Sequence, residues 1–160
     1  MLKIVENDEE ILFVLNNLRN EDKCELVALY GKNWKEETMQ SLRGKDFYIL
    51  YGKTNGKELK PIAMGNFYQV FPKYNSIACV WLLTTKYIYK NKSLFWRNFL
   101  SVFRNNHYKY DIMFNFIYKT NVQAKNWLKK LGFKFDNPYP KGIKVKEDFE
   151  FFYRTKERKK

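Results

Sequence analysis

From Leu59 to Tyr110 the chain has no aspartate or glutamate, yet it carries Lys60, Lys73, Lys86, Lys90, Lys92, Arg97, Arg104 and Lys109. Cations without neighbouring carboxylates attract phosphate and other anions. The segment Lys86-Tyr87-Ile88-Tyr89-Lys90-Asn91-Lys92-Ser93 concentrates them and interleaves tyrosines that can stack on bases. Three readings of this segment stay open: a grip on the phosphates of an anionic cofactor, a basic patch for DNA or a protein partner, and a solvated lysine loop. Proton-transfer chemistry is less well provided for. Glu58, Asp111, Asp148, Glu150 and His107 are the candidates for a base, and they form no telling constellation. His107 is the single histidine, which excludes a multi-histidine metal site. Cys24 and Cys79 are far apart, without a CxxC, and read as reduced thiols in an intracellular protein. No metal is expected.

A chain of 160 residues with 45% hydrophobic and 19% aromatic content can bury a core. One domain over residues 1–154 is expected, with a basic tail over 155–160; from Arg154 onward the chain should be frayed and solvated. The N-terminus turns polar at once and no apolar run approaches ~20 residues, so a soluble, non-secreted protein without a membrane partner is expected. The net charge is +13, with 24 lysines against 6 arginines and abundant Asn, Phe and Tyr. That bias is the composition of an AT-rich genome, since nucleic-acid sites favour the bidentate fork of arginine. Charge alone therefore leaves a nucleic-acid partner open.

The elements that would position these residues follow from periodicity. Leu2 to Val5 reads as a short strand, and Asp8 to Leu18 as a helix with Ile11, Leu12, Leu15 and Leu18 on one face and acids in its first turn. Leu26 to Tyr30 is a short apolar piece ended by Gly31. A helix capped by Asn33 runs to Leu42 and stops at Gly44. Strands are expected at Asp46 to Tyr51, Pro61 to Phe71 and Ser76 to Thr85, the last two joined through Pro72-Lys73-Tyr74-Asn75. After a loop, Ser93 caps a helix with Phe95, Phe99, Val102 and Phe103 as its buried stripe. Ile112 to Tyr118 is a buried strand interrupted by Asn115. Thr120 or Asn121 caps the next helix, with Ala124, Trp127, Leu128 and Leu131 at i, i+3, i+4 and i+7. Gly132 ends it as a left-handed stop, Phe133 to Phe135 starts another strand, and a last strand spans Glu147 to Arg154. Trp34, Trp81, Trp96 and Trp127 are expected in packing roles, and Asn115 as a hydrogen-bonded structural amide.

This order, with Asn121-x-x-Ala124-x-x-Trp127-Leu128-x-x-Leu131-Gly132-Phe133, resembles the GNAT acyltransferase superfamily, whose members carry the same Asn…Ala…Leu-Gly-Phe spacing after their fifth strand. More narrowly it is similar to small GNAT-like proteins of tailed bacteriophages, through Trp81 to Thr85, Phe95-x-Arg97, Asn115-Phe116, Asn121 to Phe133 and Pro140-x-Gly142. The resemblance implies an α/β (α+β) fold: a central, mostly antiparallel mixed sheet with helices on both faces. It further implies that acyl-CoA (acetyl-CoA) would lie where the fourth strand splays from the fifth. Its pantetheine arm would pair with backbone at Leu83 and Thr84 beside Asn121, and Lys90, Lys92 and Arg97 would hold its phosphates.

Two departures oppose catalysis. Family enzymes hold pyrophosphate on a Q/R-x-x-G-x-G/A loop, and residues 86–93 contain no glycine, so Cβ atoms obstruct the backbone. A tyrosine often supplies the proton for the departing thiolate where this chain has Leu128; Tyr118 or Tyr87 would have to substitute. The expectation is therefore a degenerate GNAT-fold protein with a binding or structural role among phage or virion proteins, in virion assembly or in the particle. The alternative is an acyl-CoA-dependent N-acyltransferase acting on an amine of a protein or small molecule.

Overall fold

A computed structural model describes residues 1–56, 58–70, 76–107 (without the side chain of His107), 109–136 and 146–156. The connection Pro72 to Asn75, the Pro140-x-Gly142 motif, the side chain of His107 and residues 157–160 lie outside the described residues. Its elements are β1 (Leu2–Ile4), α1 (Asp8–Asn16), α2 (Asn20–Tyr30), α3 (Trp34–Leu42), β2 (Tyr48–Lys53), β3 (Leu59–Gln69), β4 (Ile77–Thr84), α4 (Lys92–His107), β5 (Ile112–Tyr118), α5 (Val122–Lys130) and β6 (Phe149–Thr155). The strands form one six-stranded sheet in sequence order. β1 and β2, β2 and β3, and β5 and β6 pair antiparallel, whereas β4 and β5 are parallel. This is the mixed, mostly antiparallel α/β architecture that the family resemblance implies.

Contacts divide the chain into two compact units, Met1–Asn66 with Trp81–Arg104 and Phe67–Val80 with Asn105–Lys160, so β3 and β4 each run through both. In the first unit Ile11, Val14, Leu15, Leu26, Trp34, Leu42, Phe47, Ile49, Met64 and Leu83 form a buried cluster, with Trp81 packed on Phe47. Tyr51 pairs with Pro61 where the register shifts, so the proline that cannot donate to a ladder sits at a bulge. Gly65 is required by the close pass of β4, since a Cβ there would lie 2.5 Å from the carbonyl oxygen of Trp81. Phe95, Phe99 and Phe103 stack along α4 at 5.4 and 6.2 Å, the apolar stripe read from the sequence.

In the second unit β5 and β6 exchange aromatic pairs, with Phe116 opposite Phe151 at 5.3 Å and Tyr118 opposite Phe149 at 5.5 Å. Asn121 caps α5 by accepting from the N–H of Ala124. The helix closes with Gly132 at φ +82°, whose N–H donates to Lys129 while Phe133 N–H donates to Leu128, both at 3.0 Å. This pair of bonds satisfies the last carbonyls and needs a left-handed residue.

Several expectations are corrected. Leu26 to Tyr30 is not a separate apolar piece but the end of α2, which buries Asp22 and Leu26 only and so shows no apolar stripe. Asn33 makes no side-chain cap, because the chain enters α3 from a 3-10 turn over Gly31–Asn33 that is already helical. Ser93 lies inside the first turn of α4 for the same reason. The strand after Gly132 reduces to one bridge, Lys134 to Tyr153. Arg154 is not frayed: it pairs with Met113 in β6, and its guanidinium donates to the carbonyl of Leu131 at 2.6 Å. Thr155 also belongs to β6.

Replacing Gly65 by alanine should lower unfolding free energy by about 1–3 kcal/mol, because backbone rather than a flexible side chain blocks the methyl. Gly56→Ala, which meets nothing within 4 Å, is the control and should stay within about 0.5 kcal/mol in urea titrations.

Candidate functional site

The cationic segment begins where β4 ends, and the hydrogen bonds of that end define the site. Thr85 donates its N–H and hydroxyl to the carbonyl of Ile62, at 2.9 and 3.1 Å, so it faces β3. Leu82, three residues back, passes Gly65, three residues on, which makes β3 and β4 antiparallel. Alternation then directs the N–H and C=O of Thr84 to the opposite edge. The parallel ladder with β5 spans only Ile77 to Cys79 against Ile112 to Phe114. At the next position the side-chain amide of Asn115 donates to the carbonyl of Val80 at 2.8 Å, in place of a backbone partner.

The linker between α1 and α2 occupies the edge at Thr84. Leu18 bridges to Thr85, Lys86 N–H donates to Asn17 at 2.9 Å, and Arg19 N–H donates to the carbonyl of Thr84 at 3.0 Å. Asp22 Oδ2 accepts both the N–H of Thr84, at 3.0 Å, and its hydroxyl, at 2.7 Å. The guanidinium of Arg19 holds the same carboxylate through Nε at 3.0 Å and Nη2 at 2.7 Å. Arg19, Asp22 and Thr84 are 3%, 4% and 1% exposed, so this is a fully buried ion pair. Burial pulls the Arg19 pKa down, but the bonds and charge of Asp22 outweigh it and hold the group above its ordinary value.

The glycine-free segment forms a 3-10 helix over Lys86–Asn91 that runs straight into α4. Thr85 caps it, accepting Tyr87 N–H on its hydroxyl and Ile88 N–H on its carbonyl. Asn91 pins its far end. Its amide accepts Lys53 N–H at 3.1 Å and donates to the Lys53 and Tyr87 carbonyls at 2.7 and 2.9 Å. Gly52 makes room, since a Cβ there would lie 2.7 Å from Asn91 Oδ1. The N–H groups of Lys86, Tyr87 and Ile88 at the start of this turn are thus already bonded within the protein. What faces solvent is side-chain charge. Lys86 lies over the Tyr87 ring at 5.5 Å, Lys92 over Tyr89 at 5.9 Å, and Lys90 donates to Asn55 at 2.9 Å. Arg97 is exposed on α4. Among the described residues none of these four cations pairs with a carboxylate.

Thr84, Lys90, Lys92 and Arg97 all belong to the first unit, on β4, the 3-10 helix and α4, with Leu83 buried in the core. Asn121 lies in the second unit, 2% exposed as the cap of α5. Leu128 is half-buried; Tyr87 donates to Asn17 at 3.4 Å and Tyr118 packs on Phe149. Of the candidate bases, Glu58 pairs with Lys60 and Glu150 with Lys125, each at 2.5 Å, and Asp111 lies 4.0 Å from Lys156. Sequence reasoning missed Arg19, Asp22 and Asn91. Only the Arg19-x-x-Asp22 spacing at a helix start hints at the pair.

It also missed a second polar cluster. Glu10, 8% exposed, accepts the Tyr51 hydroxyl, Lys3 Nζ at 2.8 Å and Glu6 N–H at 2.9 Å. Burial pushes the Glu10 carboxyl up, but the bonds from Lys3, Tyr51 and Glu6 together hold it below its ordinary value. Burial and the bond to Glu10 push the Tyr51 hydroxyl up to about 12.

No protein-family model matches the chain, and no curated protein matches it in sequence. Solved structures do match its fold. An acetyltransferase from Streptococcus agalactiae is 16% identical with a TM-score of 0.65, covering 97% of each chain. The ribosomal-protein-S18-alanine N-acetyltransferase from Escherichia coli is 12% identical with a TM-score of 0.61, covering 100% of this chain and 97% of its own. The Campylobacter jejuni N-acetyltransferase PseH in complex with acetyl coenzyme A is 10% identical with a TM-score of 0.57, covering 98% and 100%. At these identities the likeness shows the fold: this chain has the fold of the GNAT acetyltransferases.

The Glu10 cluster carries a pH signature. A depressed carboxyl stabilises the fold fully above its unfolded value near 4.5, and that contribution is lost as pH falls through the folded value. A raised phenol stabilises fully below 10.0, and the contribution is lost as pH rises to about 12. Urea midpoints against pH should therefore decline at both ends. Tyr51→Phe should flatten the alkaline arm and Glu10→Gln should shrink the acid arm; variant profiles parallel to wild type would refute the assignment.

Proposed function

We propose that this protein is an acyl-CoA-dependent N-acyltransferase acting on an amine of a protein or small molecule. One observation supports this reading above others: acetyltransferases, two of them N-acetyltransferases and one of these solved with acetyl coenzyme A, match the fold over 97–100% of the chain. Lys90, Lys92 and Arg97 suit the phosphates of acyl-CoA, being exposed and, among the described residues, unpaired with acids. Leu83, Thr84 and Asn121 complete the proposed cofactor set. The fit is divided. Side-chain cations are available to phosphate, whereas the polar groups of Thr84 and the N–H groups that open the 3-10 turn already have partners.

A second reading draws support from that same filling of donors. The chain would be a GNAT fold without catalysis, serving as a binding or structural module among phage or virion proteins, in the host cytoplasm or in the particle. The uncompensated cations and Tyr89, 43% exposed, would then meet an acidic partner or nucleic acid.

A thermal-shift titration with acetyl-CoA separates the two. Ligand at 100 times its Kd adds about 2.7 kcal/mol and raises the midpoint visibly. The triple substitution Lys90→Glu, Lys92→Glu, Arg97→Glu should weaken that binding by at least about tenfold while leaving the unliganded midpoint nearly unchanged, since each side chain is exposed. No shift at millimolar acetyl-CoA removes the acyltransferase reading. Binding to a single-stranded oligonucleotide that weakens steeply with salt would support the nucleic-acid form of the second reading.

A further inference from the structure

The parallel ladder between β4 and β5 stops one rung short of where its own geometry leads. Ile112 N–H donates to the carbonyl of Ser76 at 3.0 Å, and a parallel ladder repeats every two residues on both strands. The next donors in step are Phe114 for Ala78 and Phe116 for Val80. At Phe116 a side chain is inserted. Phe116 N–H donates to Asn115 Oδ1 at 2.8 Å, and Asn115 Nδ2 donates onward to the Val80 carbonyl, also at 2.8 Å. One carboxamide thus stands in series in a rung that two backbone groups could close directly.

We infer that this rung is a binding subsite for one secondary amide of an extended ligand, that Asn115 holds its place in the resting protein, and that the pantetheine arm of acyl-CoA supplies the amide. The last clause rests on the acyltransferase reading; the subsite itself does not.

The chemistry of the rung selects the ligand. A secondary amide carries one carbonyl oxygen and one N–H on opposite sides. In the rung its oxygen accepts from Phe116 and its N–H donates to Val80, the two bonds that Asn115 makes now. A carboxylate or a fully ionised phosphate only accepts and would leave the Val80 carbonyl without a donor.

The sheet does not need an asparagine here. Met113 and Ile117, two residues to either side on the same face, are 1% and 4% exposed, and Phe152, opposite Asn115 on β6, is 4% exposed. An apolar residue would suit that face and let Phe116 bond Val80 directly. Asn115 is half-buried among these three, so water reaches the sheet beside it. A polar side chain set among buried apolar ones, where the backbone could satisfy itself, calls for a use beyond folding. Its release is local as well. Rotation about χ1 carries the carboxamide toward the solvent it already meets, no backbone moves, and the incoming amide replaces both bonds.

Nuclear magnetic resonance on the full wild-type chain tests this with three probes: acetyl-CoA, ADP, which has phosphates and no amide, and an N-acetylated, C-methylamidated dialanine peptide, which has amides and no phosphate. Saturating acetyl-CoA should move the Asn115 side-chain amide resonances and quicken their exchange with solvent, while Phe116 N–H stays protected. ADP should leave both unchanged. In calorimetry Asn115→Ala, which has no carboxamide to displace, should bind acetyl-CoA about three- to tenfold more tightly than wild type, the net worth of one hydrogen bond, and should bind ADP equally. If that variant does not fold, the wild-type resonances carry the test. Acetyl-CoA binding that leaves the Asn115 resonances in place, or equal or weaker binding by a folded Asn115→Ala, overturns the subsite and leaves the acyltransferase reading standing. Where acetyl-CoA does not bind, that reading falls with the pantetheine assignment. Movement of the Asn115 resonances by the capped peptide then supports the subsite for a peptide strand, and no movement overturns it too.

Discussion

A backbone donor and acceptor buried at a strand end must find partners, and this demand organises the first unit of the structure. β4 continues five residues beyond its last parallel pair, Cys79 with Phe114, to Thr84. Among the described residues no strand supplies the missing bonds on that edge. Asn115 answers for Val80 with a side-chain amide, and the α1–α2 linker answers for Thr84 with a carboxylate and a backbone N–H. The positions of α1 and α2 follow from that need as much as from apolar packing. Leu18 and Asn17 on one side and Asp22 on the other are bound to consecutive residues of the same strand end.

The absence of glycine between β4 and α4 then has a definite consequence. A loop that wraps phosphate must turn successive N–H groups outward, which glycines allow. Here Thr85 starts a 3-10 turn at once, Ile88 is drawn into the core at 1% exposure, and Asn91 ties the other end to β2. Tyr87 and Ile88 donate into the turn, to Thr85, and Lys86 donates to Asn17. Charge for an anion can come only from side chains, and the sequence supplies four of them with no acid among them. Backbone chemistry has been exchanged for lysine and arginine chemistry, which grips phosphate with less geometric definition.

Legibility in the sequence divided along the same physical line. β5, α5 and its left-handed stop were readable because their signals are local: an apolar run, a cap and a glycine at fixed spacing. The polar strand residue Asn115 could be assigned a hydrogen bond, though not its partner. α2 was hidden, for its one apolar buried residue, Leu26, gives no period, and its other buried residue is an aspartate. The caps assigned to Asn33 and Ser93 rested on residue type alone and failed where a 3-10 turn delivered the chain already helical. Lys90, Lys92 and Arg97 could be named from the missing acids around them. Arg19 and Asp22 could not, because what gives them meaning is Thr84, 62 residues from Asp22.

A buried ion pair is weak evidence for stability, since apolar residues of similar size often do as well. At Thr84 that substitution is unavailable, because the strand end needs an acceptor for its N–H and hydroxyl and a donor for its carbonyl. An aspartate meets the first need, and a buried aspartate needs a cation. Arg19 supplies it from the same turn and, through its own N–H, also meets the second need. Two residues three apart at the start of α2 thus satisfy the N–H, the hydroxyl and the carbonyl of Thr84 together.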